Sequence, residues 1–93
     1  MSKKYYEEKA KEFYELRLGV MTMKKLCKNF LSLIHYVPYI IDEKQKIQHN
    51  ISCFPIMFKE RIEYDNLKML EEAMRKADFC YDQNKNKREN VPN

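Results

Sequence analysis

This sequence predicts an all-α fold, a compact bundle of four to five short helices, on three observations. Apolar residues recur at steps of three and four along most of the chain. The single glycine, Gly19, falls between two such stripes, and there are only three prolines. Lys, Glu, Leu and Met are abundant, a composition that favours helices over a sheet built on tight turns.

The first helix is read from Ser2 to Leu16. Tyr6, Ala10, Phe13 and Tyr14 share one side, with Lys3, Lys4, Glu7, Glu8, Lys11 and Glu15 around the rest. Ser2 is a candidate cap, and Glu7 with Lys11 is a favourable i,i+4 pair. Gly19 follows, where a missing Cβ lets the backbone take positive φ and one helix stop before the next begins. Thr22 suits the N-cap of a second helix running to about His35, whose stripe is Met23, Leu26, Cys27, Phe30, Leu33 and Ile34. Pro38 then pushes Val37 out of helical geometry and enforces a connection.

Asp42 opens the third helix, as Asp42-x-x-Gln45 has the form of a capping box with Glu43 in the positive first turn. Its stripe is Ile47, Ile51 and Phe54, and Pro55 ends it. A short helix from Pro55 to Ile62 is expected to turn Ile56, Phe58 and Ile62 inward. Glu63 to Asn66 is the next break, with Asp65 or Asn66 as cap. The last helix carries Leu67, Leu70, Ala73, Met74, Ala77, Cys80 and Tyr81 on one face. The domain is thus placed at residues 1–82, and the polar stretch 83–93 reads as a disordered tail. The expected shared core is Met23, Leu26, Phe30, Leu33, Ile47, Ile51, Leu70, Met74 and Ala77.

Ninety-three residues allow one small domain. A net charge of +4 is mildly basic, enough for weak, salt-sensitive contact with nucleic acid. Cys27, Cys53 and Cys80 are odd in number and widely spaced, so they read as reduced thiols within apolar stripes. No metal site or other cofactor is expected: His49 and Cys53 offer only two ligands at i,i+4. Neither His35 near Ser32 nor His49 near Ser52 has an orienting acid and an oxyanion loop, so no catalytic residues are assigned and the chain is read as a non-enzyme without a small-molecule substrate. The glutamates lie among Lys and Arg as a solvated face. No apolar run has membrane length and no signal peptide is read, which places the protein inside the cell, in the cytoplasm.

One collinear series resembles a known family. Leu16, Gly19, Met21-Thr22, Phe30, Leu33 and Tyr36-Val37-Pro38 fall where the Gag domain of gypsy-type LTR retrotransposons, especially plant ones, carries similar residues. The series continues through Asp42 to Gln48, Ser52 to Pro55, Lys59 to Tyr64 and Leu70 to Ala77, and covers roughly Lys11 to Gln83. Leu18 stands where the family has glutamine, Asn50 where it prefers an aromatic residue, and Phe54 where it has leucine. The resemblance implies the C-terminal half of a retroviral-type capsid domain, with the upstream half missing. The turn Gly19, Val20, Met21 and Thr22 would stand at the major homology region.

By the same resemblance the helix from Asp42 to Cys53 would form a two-fold contact, with Gln45, Gln48, His49 and Ser52 on its outward side. The partner would be the chain itself or other Gag chains. Independently of the resemblance, Tyr36, Tyr39, Ile40, Ile41, Met57 and Met69 are more apolar groups than so small a bundle must bury, as on a contact surface. The alternative is a helical adaptor that holds RNA weakly and without sequence preference through Lys85, Lys87 and Arg88, with Lys24, Lys25 and Lys28 as a second basic group. A degenerate relic without function is the third reading.

Overall fold

The computed structural model describes the backbone of residues 3–89 and the side chains of residues 3–85. Five helices follow in order: α1 Lys3–Glu15, α2 Met23–Leu33, α3 Glu43–Ile51, α4 Ile56–Asp65 and α5 Leu70–Glu89, with a 3₁₀ turn at Ile34–Tyr36. There is no strand among the described residues. None of these helices is long and apolar enough to cross a membrane.

Helix α5 is the spine. Leu70, Ala73, Ala77 and Cys80 are buried along it at steps of three and four, and α2, α3 and α4 all pack on it. Small side chains at Ala73 and Ala77 let three neighbours come close, because the side chains at the contact set the distance between helices. Helix α1 packs on α2 and the 3₁₀ turn, with Phe13 against Phe30 at 5.1 Å between ring centres. The nine residues expected in the core are all there: Leu33 and Met74 lie half-buried against it, and the other seven are within it. Phe13, Ile40, Ala73 and Cys80 belong to it too, with Leu18, Val37, Cys53, Phe54, Phe58 and Ile62.

Gly19 has φ +50°, as its place between two helices requires. Backbone hydrogen bonds pin the turn. Leu18 donates its N–H to the carbonyl of Cys53 at 2.9 Å, and Met21 donates to Leu18 at 3.0 Å. The Leu18 side chain meanwhile enters the core, so the turn needs no glutamine to brace it. Thr22 caps α2, its hydroxyl accepting from the Lys25 amide at 3.2 Å, and Asp42 caps α3 by accepting from Lys44 at 2.8 Å.

The structure corrects four expectations. The second helix stops at Leu33 and tightens into the 3₁₀ turn before Val37 and Pro38. Helix α4 continues three residues past Ile62 to Asp65, and Asn66 ends it in the left-handed conformation, a position Asn tolerates. The break therefore falls at 66–69, leaving Leu67 in a connection where its side chain is half-buried. Ile56 is exposed rather than inward, because it lies two residues from Phe58 and so on nearly the opposite side of the helix.

The fourth correction concerns the polar stretch after Tyr81, read from sequence as a tail. Through residue 89 it is helix. A helix already formed extends at little cost, and Lys, Gln and Arg are good helix formers with no Gly or Pro among them. Ser2 and residues 90–93 lie outside the described residues.

Candidate self-association surface

Helix α3 places the residues expected at a two-fold contact unequally. Gln45, Gln48 and Ser52 are exposed, but His49 is half-buried. Its ring packs against α1, 5.8 Å from the ring centres of both Phe13 and Tyr14. His49 is thus part of the α1–α3 packing, and this corrects its outward assignment. An i,i+4 pattern cannot show that a second helix covers the histidine. Ser52 donates its hydroxyl to the His49 carbonyl at 2.7 Å, as residues ending a helix often do. The outward face of α3 is therefore polar, and its apolar residues Ile47 and Ile51 look toward a groove of about 380 Å³ shared with Ile62 and Leu67.

The exposed apolar residues lie elsewhere. Of the two isoleucines in the α2–α3 connection, Ile40 is buried and Ile41 is 76% exposed. Their alternation is that of an extended chain. Tyr39 is exposed but its hydroxyl bonds that of Tyr14, and Tyr36 packs against Tyr5 and Tyr6. The hydrogen bond between the Tyr5 and Tyr36 hydroxyls, then burial, raises the Tyr36 hydroxyl pKa, and Tyr14 is pushed up to about 12, first by its bond to Tyr39. The tyrosines of the connection thus largely serve to dock α1. Met69 is half-exposed just before α5.

Helix α4 carries a stripe of which sequence reasoning named only Met57. Met57 is 50% exposed and Tyr64 is 89% exposed, with exposed Glu60 and Arg61 between them. The spacing i, i+3, i+4, i+7 puts all four on one stripe. Phe58 and Ile62 carry the buried side of the same helix. The signal was present in the sequence as a second stripe beside the first, but it became visible only once the inward side was fixed.

The basic residues do not form a uniform patch. Lys24 and Lys28 border a groove that also holds Glu71, Arg75 and Asp78, with Cys27, Leu31 and Met74 at its floor. Lys85 is exposed on α5, whereas the side chains of Lys87 and Arg88 lie outside the described residues. The three cysteines are free thiols; Cys53 and Cys80 are buried and Cys27 is half-buried. Burial, then the neighbouring Asp78 carboxylate, pushes the Cys27 thiol up to about 11. Such a thiol is a packing group and a poor nucleophile at neutral pH.

Compared with protein-family models, curated proteins and solved structures, the chain matches none.

Proposed function

We propose that this chain is a non-enzymatic structural module that works by binding copies of itself, in a capsid-like assembly of the retrotransposon Gag type. One observation carries the reading. Large apolar side chains stand in solvent on α4 and in the α2–α3 connection, although the core beneath is already filled. Exposed apolar residues also stand on α1, α2 and α5, and it is the set on α4, Ile56, Met57 and Tyr64, that we read as a contact surface. The family part of the reading rests on the collinear series from Leu16 to Ala77, and the cytoplasm is the compartment it implies. Partners are other copies or other Gag chains, and no cofactor is needed.

Sedimentation and light scattering of the full chain across the micromolar range test this. Mass that grows with concentration is the expected result. A constant monomer mass, with RNA affinity that collapses in salt, would replace it with the RNA-adaptor reading.

A further inference from the structure

The stripe on α4 has an order that matters: apolar Met57, acidic Glu60, basic Arg61, apolar Tyr64. Reversed end to end, it meets its own complement. In an antiparallel pair with its two-fold axis between positions 60 and 61, Met57 of each copy faces Tyr64 of the other. Glu60 of each copy then faces Arg61 of the other, twice. A two-fold interface demands this self-complementarity of a single patch.

We propose that α4 is the surface on which two copies of this chain pair, antiparallel, about an axis between Glu60 and Arg61. This rests on the self-association reading and gives it a place other than α3. Among the described residues no ion pair occupies Glu60, so its carboxylate is open to a second molecule. Arg61 donates to the neutral Gln83 side chain of α5 at 3.5 Å, a long bond that a partner's carboxylate would outcompete.

The ground beside the stripe is also prepared. Lys76 of α5 holds Asp65 at 2.8 Å, and Gln83 meets Arg61, so α5 runs along the edge of the stripe. Phe79 lies between Lys76 and Gln83 on α5 and is more than half exposed, which widens the apolar area. A ten-residue helix pair with one flanking ring is at the small end of specific interfaces, so the dimer is expected to be weak and reversible.

Charge reversal tests the pairing. Glu60→Arg alone and Arg61→Glu alone each set like charges opposite one another twice. The double variant restores both attractions, as does an equimolar mixture of the two single variants. Both positions are exposed, so circular dichroism should show every variant folded. Sedimentation should give single variants a dissociation constant at least about tenfold weaker, with the double variant and the mixture returning to within about threefold of the parent. Parent chain that associates equally well with either single substitution, or a double variant as weak as the singles, would overturn α4 as the surface while leaving self-association in place. Parent chain that stays at monomer mass throughout would overturn both.

Discussion

Glu43, in the first turn of α3, accepts the backbone N–H of Leu70 at the start of α5 at 2.9 Å. Twenty-seven residues separate them, yet one carboxylate serves two helix N-termini. It lies at the positive end of its own helix and satisfies a free amide of another. Lys46 holds the second carboxylate oxygen at 3.6 Å. The bond fixes where α5 begins and ties the spine to α3, its most extensive neighbour.

Glu43→Ala should therefore destabilise the fold by about 1–2 kcal/mol, more than an ordinary surface substitution. Glu43→Gln keeps an acceptor oxygen and should lose roughly half as much. Urea denaturation gives both values, and equal losses would show that the acceptor is not what matters.

Asn50 is fully buried on α3, and both polar atoms of its amide lack a partner. A buried amide ordinarily has a hydrogen-bond partner, and this one has none. Desolvating it without compensation opposes folding. Asn50→Leu should accordingly stabilise the protein by about 1–2 kcal/mol. In a domain of this size that raises the melting temperature by several degrees, readable by calorimetry.

A Cβ built on Gly19 would meet nothing within 4 Å, so the only obstacle to a side chain there is the backbone angle. Gly19→Ala should cost about 1 kcal/mol, Gly19→Val more because of its branched Cβ, and Gly19→Asn least. That order, measured by thermal melting, separates a conformational penalty from a steric one, which would instead scale with size alone.

Cys27 gives a pH dependence with a defined sign. Its thiol is pushed up to about 11 in the folded chain, above the value of an unfolded cysteine. The folded state thus favours the protonated form. The stability this adds is intact below the unfolded value and is lost as pH rises toward 11. The urea midpoint should fall between pH 9 and 11 more steeply in the parent than in Cys27→Ala. Iodoacetamide should label Cys27 more slowly at pH 8 than it labels a free thiol.

Much of this fold could be read along the chain because its signals are local. A lone glycine between two stripes, Thr22 and Asp42 ahead of their helices, and the periodic Met23, Leu26 and Phe30 act within a turn or two of themselves. Boundaries were less legible. Asn66 reads equally well as the cap that starts one helix or as the residue that ends the one before, and only the left-handed backbone decides. The candidate contact surface was half visible. A surplus of apolar residues suggested such a surface, but the proposal that it lies on α4 rather than α3 rests on which neighbours cover His49 and leave Tyr64 bare.

By itself, then, the sequence determined five helical segments, the hinge at Gly19 and which stripe of most helices turns inward, because capping and periodicity are properties of neighbouring residues. Tertiary structure alone decided that Glu43 caps a helix twenty-seven residues away, that Leu18 hangs its turn on the Cys53 carbonyl, and that Asn50 is sealed without a partner. These depend on distances between segments remote in the chain, and such distances are set by how helices pack, not by the order of residues within any one of them.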